Sequence, residues 1–279
     1  MDRITNVLNP RRLGRLFLRE LAVSYRGVLV AAAAAAGAII VVSAVSSLVL
    51  AAGGAPAGSV QGNHYEGFFG LLLFVGGCIV TSLAFREVWQ PGGGIAYLSL
   101  PGSPLEKLAV KLLLTSVGYA VGSLAFTAGV GAASEALDRL VFGVGHGFFN
   151  PFSAEALQAA ARYLVVQAFF LLGSIWFRKL AFVKTVLWLL VAAVVLAILA
   201  GIAMRIAVGP RLAAMGNGTG RVGGWMLQLG GGGYQNLFAP GSRGYAGAEV
   251  FKVVAEGLLI ALAPASWVAA YFRLREAEV

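Results

Sequence analysis

The stretch Arg86–Lys111, REVWQPGGGIAYLSLPGSPLEKLAVK, decides how this chain is organised. Long apolar runs flank it on both sides. Within it lie a loop, a tripled glycine, a short apolar piece and a clear helix start. Ser103 is placed as the N-cap, Pro104 as the first helical residue and Glu106 as the third. That is a capping box with proline at N1. The serine oxygen accepts a backbone N–H of the first turn, and the Glu106 carboxylate reaches back to the N–H of Ser103. Lys107 and Lys111 follow one turn apart on one face. Two readings stay open here. The stiff, charged element is presented to something in water, or it merely starts the next helix and anchors it at the lipid surface.

Composition sets the class. The chain has 279 residues, 59% of them hydrophobic and 12% charged, where a soluble domain carries about 25% charged residues. With a mean hydropathy of +0.83, this reads as an all-α integral membrane protein. The net charge of +9 does not point to nucleic acid, because the basic residues sit at the ends of apolar runs, as in cytoplasmic loops. The single cysteine, Cys78, excludes an internal disulfide framework. The first apolar run is too long and starts too late for a secretory signal, so it is expected to be retained.

Residues 1–26 are expected to form an amphipathic interfacial helix, with Asn9 and Pro10 as N-cap and N1. Arg12, Arg15, Arg19 and Arg26 fall on one side, and Leu13, Leu16, Phe17 and Leu21 form an offset apolar stripe. Such a helix lies among lipid headgroups. Residues 27–279 read as a six-helix transmembrane domain, with spans at about 27–52, 67–85, 104–132, 156–176, 185–208 and 250–272. The alanine run Ala31–Ala36 and the pair Gly118/Gly122 are candidate helix-contact surfaces. Residues 133–155 and 209–249 are expected as loops. The second is glycine-rich, with Trp225, Tyr234, Phe238 and Tyr245 spread along it, and is expected to fold back onto the membrane interface. Pro264 should kink the last span. Lysine and arginine concentrate before span one, after spans two and four, and after span six. The positive-inside rule therefore puts both termini in the cytoplasm.

The chain offers little reaction chemistry. No glycine precedes a lysine, so there is no phosphate-cradling P-loop, and there is no HExxH. His64 and His146 sit in different outer loops and read as solvated; a metal site with Glu66 or Asp138 is disfavoured, and no metal residue is assigned. Lys252 and Glu256 can pair one turn apart near the outer end of span six, and Glu256, the deeper one, can line a path or gate. No nucleophile has a positioned base, so the residues give membrane enzymology little support and the chain is expected not to be an enzyme.

At this point the layout resembles the permease subunit of an ABC-2 type ABC transporter. The residues that carry the resemblance are an arginine-rich helix before span one, the turn Leu98–Lys107 (LSLPGSPLEK), six spans with both termini inside, and the longest outer loop before span six. The turn is similar to the LPxSxxEK turn of one bacterial branch. The resemblance implies a bacterial inner-membrane exporter that works with a second permease copy, or a related chain. A separate cytoplasmic ATPase would hold the ATP and magnesium, and this chain would hold no cofactor. It implies that Arg86, Glu87, Leu100, Ser103, Pro104, Glu106 and Lys107 meet the ATPase. It further implies that the helix bearing Arg12, Arg15 and Arg19 also touches the ATPase, and that Trp225, Tyr234 and Phe238, with Glu256, belong to a re-entrant outer gate. Two other classes compete. One is a non-transporting membrane scaffold recruiting a cytoplasmic partner. The other is an ion-coupled secondary transporter, which wants inverted repeats and buried carboxylates. No repeat is visible, and Glu256 is its lone candidate.

Overall fold

The computed structural model describes residues 9–56, 64–90, 94, 97, 99, 100, 102–215 and 243–277. Of residues 200, 201, 203–215, 243–256, 258, 259 and 277 it describes the backbone alone. These residues form six long helical elements and no β-strand. They are α1 (Pro10–Ala52), α2 (Tyr65–Trp89, with turns of other pitch inside it), α3 (Pro104–Phe142), α4 (Ala154–Trp176), α5 (Ala181–Met215) and α6 (Arg243–Ala277). Five helices among the described residues are long and apolar enough to cross a membrane, namely α1 to α4 and the Ala181–Leu199 part of α5. The expected sixth span lies within α6, which carries Pro264 inside it. The glycine-rich segment lies outside the described residues except at its ends, residues 209–215 and 243–249, which are helical. The chain divides into two units, residues 1–182 with 263–279 and residues 183–262. The second holds most of α5 and the first half of α6, and the first holds α1 to α4 with the end of α6.

Three expectations are corrected. The separate interfacial helix does not form: α1 runs 43 residues from Pro10 to Ala52 without a break. At 1.5 Å per residue that is roughly 65 Å, about twice the hydrocarbon thickness of a bilayer. Nothing at Gly27 stops the helix, since a lone glycine is tolerated and no proline or cap follows it. The alanine run is not buried in this chain, and residues 21–31 are all exposed. Helix α1 meets the rest of the first unit near its start, at Leu16 and Glu20, and near its end, at Ile39, Ser43 and Ser47. Finally, α3 continues ten residues past the expected end of span three. Gly143 stops it in the left-handed region (φ +70°), donating its N–H to the Arg139 carbonyl at 3.2 Å.

Two cores hold the first unit together. One joins Ile39, Tyr65, Phe69, Leu73, Phe149 and Tyr163. The other, toward the basic end, joins Phe85, Tyr97, Leu108, Leu171, Ile175 and Leu274, with Leu100 packed against it. Lipid tails are as apolar as these side chains, so close packing and buried hydrogen bonds hold such helices together. A wide π-helical turn interrupts α2 at Leu72–Gly76 and α3 at Leu114–Gly118. Such turns disturb the regular backbone ladder. The Tyr119 hydroxyl donates to the Leu72 carbonyl at 2.8 Å, and the Tyr163 hydroxyl donates to the Thr115 carbonyl at 2.6 Å. Both rings need room at α2: a Cβ on Gly77 would overlap the Tyr163 ring, and one on Gly76 the Tyr119 hydroxyl. The expected contact glycine Gly122 instead has open space around it.

Candidate functional site

The capping box forms as the sequence predicts. The Ser103 hydroxyl accepts from the Glu106 N–H at 3.2 Å, and Glu106 Oε2 accepts from the Ser103 N–H at 3.0 Å. The second carboxylate oxygen does something no local pattern reveals. Glu106 Oε1 accepts from the backbone N–H of Asn9 at 2.7 Å, and Arg12 Nη2 lies 3.5 Å from it. Asn9 is itself the N-cap of α1, its side chain accepting from the Arg11 N–H at 3.0 Å. One carboxylate therefore ties together the N-termini of α1 and α3, where both helix dipoles favour negative charge.

Further along, the same helices are joined again. Lys111 Nζ donates to Glu20 Oε2, and Arg19 Nη1 lies 3.1 Å from Glu20 Oε1. Arg19 Nη2 reaches Glu87 Oε2 at 3.7 Å, on the short Arg86–Trp89 turn that ends α2. The ammonium groups of Lys107 and Lys111 lie 5.6 and 5.8 Å from the Tyr97 ring centroid. Around this clamp Arg178 stacks over Trp89, and Arg273 stacks over Trp176.

This arrangement separates the expected site residues into two groups. Glu106 and Lys107 are buried, at 0% and 3% exposure, and face the chain's own α1 and Tyr97. The expectation that their side chains meet an outside partner is therefore corrected. The physical cause is the capping box, which pulls the carboxylate back over the helix start and onto Asn9. The side chains left at the surface are Arg86 and Arg15, exposed, with Glu87, Leu100, Ser103, Pro104, Arg12 and Arg19 partly exposed. Of the expected outer gate, Trp225, Tyr234 and Phe238 lie outside the described residues, as does the side chain of Glu256.

A second cluster, at the far end of α1, escapes sequence reasoning. His64 and His146, which read from the sequence as separate solvated histidines, meet edge to face with ring centroids 4.1 Å apart. His146 is buried at 4% exposure; its Nε2 pairs with the Ser47 hydroxyl at 3.0 Å, and its backbone N–H donates to Glu135 Oε2 at 2.8 Å. Glu135 also pairs with Arg139 at 2.6 Å. Asp138, at 2% exposure, accepts from the Ser43 hydroxyl, whose oxygen lies 3.0 Å from the Tyr65 hydroxyl. Burial, and next the neighbouring His146, hold the His64 imidazole below its ordinary pKa of 6.5. The sequence signal is the spacing Glu135–Asp138–Arg139, which places all three on a helix once Gly143 is recognised as its stop. Nothing local pairs two histidines eighty-two residues apart.

Glu256 is thus not the lone buried carboxylate candidate, since Glu20, Glu106, Glu135 and Asp138 are all buried. Among the described residues no three of His, Cys, Asp and Glu converge in a geometry that could hold a metal ion. No family model, characterised protein or solved structure matches the chain. What fold and sites define is a class: an all-helical protein with several membrane-length apolar helices and two polar fastenings along its first helix.

Proposed function

We propose that this chain is the permease subunit of an ABC-2 type exporter in a bacterial inner membrane. It pairs with a second permease and is driven by a separate cytoplasmic ATPase that binds ATP and magnesium. Both termini and the Arg86–Lys111 turn then face the cytoplasm. The observation that supports this reading best is the double role of Glu106, which welds the starts of α1 and α3 into one body. Arg19 and Glu87 extend that body to the end of α2. A push on a rigid joint of this kind moves three membrane helices together, whereas a push on a floppy loop is absorbed. In this reading Arg86, Glu87, Leu100, Ser103 and Pro104 supply the docking surface. Glu106 and Lys107 stiffen it from within.

The test is co-expression with an ATP-binding-cassette subunit, followed by purification of the complex. Arg86→Glu should weaken ATPase binding and lower the turnover of the complex while the permease stays folded. If no such subunit co-purifies, or if Arg86→Glu leaves binding and turnover at wild-type levels, the proposal fails.

A further inference from the structure

The far end of α1 carries an imbalance of buried charge. Glu135 is matched by Arg139, whose guanidinium lies against the Phe148 ring. Asp138 has no such match: among the described residues no lysine or arginine nitrogen lies within ion-pair distance of it. Its partner is the Ser43 hydroxyl, backed by the Tyr65 hydroxyl. Hydroxyls stabilise a carboxylate without neutralising it. With both imidazoles neutral, the buried cluster is one positive charge short, which low-polarity surroundings penalise. Beside it stands an unpartnered ring nitrogen. His64 Nε2 is buried without a hydrogen-bond partner among the described residues, and Asp138 and Glu135 both favour its charged form.

We propose that His64, Asp138 and His146 form a proton-binding site: His64 takes up one proton as the pH falls, and Asp138 is the counter-charge that retains it. The other groups around the site are known. Helix α1 offers the neutral Ser43 and Ser47; the start of α2 offers Tyr65 and the exposed Glu66, which faces Glu155 of α4; and α3 offers Glu135, Asp138 and Arg139. Burial and His146 oppose the proton, while Asp138 and Glu135 favour it, so occupancy changes below pH 6.5 and not above it. The consequence is mechanical. Ser43 and Ser47 hang α1 on Asp138 and His146, so proton occupancy alters the far fastening of that helix. The inference is independent of the ATPase reading, since it concerns the opposite end of α1.

The chain has only two histidines, which makes the test direct. The full-length protein, labelled with nitrogen-15 at histidine and held in lipid nanodiscs, is titrated by NMR from neutral to mildly acidic pH. His64→Gln identifies the signal of His146, and the remaining signal is that of His64. Asp138→Asn should lower the proton affinity of His64 about tenfold or more. His146→Gln removes the competing imidazole and should raise that affinity. An unchanged His64 titration in either variant overturns the site, and so do shifts of the same sign in both. If Asp138→Asn does not fold, the upward shift in His146→Gln decides alone. A titration that moves when sodium chloride replaces choline chloride at equal ionic strength would assign the site to a metal cation and overturn the proton.

Discussion

Helix α1 is fastened at two ends by different chemistry, and the contrast explains how it can be both rigid and responsive. At the basic end each buried carboxylate has a cation: Glu106 has Arg12, and Glu20 has Lys111 and Arg19. At the far end α1 contributes only hydroxyls, Ser43 and Ser47, to a buried aspartate and a buried imidazole. Between them residues 21–31 are all exposed. Both partners of the Glu20–Lys111 bond carry a charge, and Glu106 accepts two backbone N–H groups beside Arg12, whereas Asp138 has a single hydroxyl donor from α1 and no ion pair among the described residues. The basic end is therefore the firm joint, and the far end is the one that titration or a ligand can release.

That ranking is open to measurement, and the largest effect should come from Glu106. Replacing it with alanine strips the acceptor from the N–H groups of both Asn9 and Ser103. Two charge-assisted bonds at about 1.5–3 kcal/mol each put the expected loss at roughly 3–6 kcal/mol. Glu106→Gln keeps one acceptor oxygen and should cost about half as much. Reversible unfolding in mixed detergent would read both values. If Glu106→Ala costs no more than substitutions at the far end, the firm joint has been assigned to the wrong end.

Ser43→Ala tests the other end. It removes the hydroxyl between Asp138 and Tyr65, both buried, for an expected loss of about 1–3 kcal/mol. The double variant with Glu106→Ala sharpens the comparison further. The two sites share no partner and lie far apart along α1, so their losses should add to within about 0.5 kcal/mol. A larger discrepancy would mean that the exposed middle of α1 transmits strain from one fastening to the other.

The firm joint is half legible in the sequence, and the releasable one hardly at all. Asn9–Pro10 and Ser103–Pro104–Glu106 announce two helix starts, because caps are local and their spacing is set by the helix itself. That Glu106 serves both starts cannot be read locally, since its second partner is ninety-seven residues away. The charged face of Lys107 and Lys111 has the pattern of a wet surface, yet Tyr97 and Glu20 cover it. At the far end the glycines and charges of residues 133–155 resemble a loop. Only Gly143 is a helix stop; Glu135 and Arg139 stabilise the turn before it as an i,i+4 pair. The π-turns at Leu72–Gly76 and Leu114–Gly118 leave no sequence mark, because tyrosines on neighbouring helices supply the missing donors.

The smallest effect expected is also the one that separates the two ends most cleanly, namely the dependence of stability on pH. His64 has a folded-state pKa below its ordinary 6.5, with burial as the leading cause. In the window between the folded pKa and 6.5, the unfolded chain binds more protons than the folded one. Stability contributed by the neutral imidazole is thus fully present above 6.5 and is lost as pH falls toward the folded pKa. Unfolding followed across this range should show a downward slope on acidification, and His64→Gln should flatten it. Glu106→Ala should lower the whole curve and leave its slope in this window intact, because His64 lies at the opposite end of α1. A slope that survives His64→Gln but vanishes in Glu106→Ala would move the titrating group to the basic end and invert the assignment of the two fastenings.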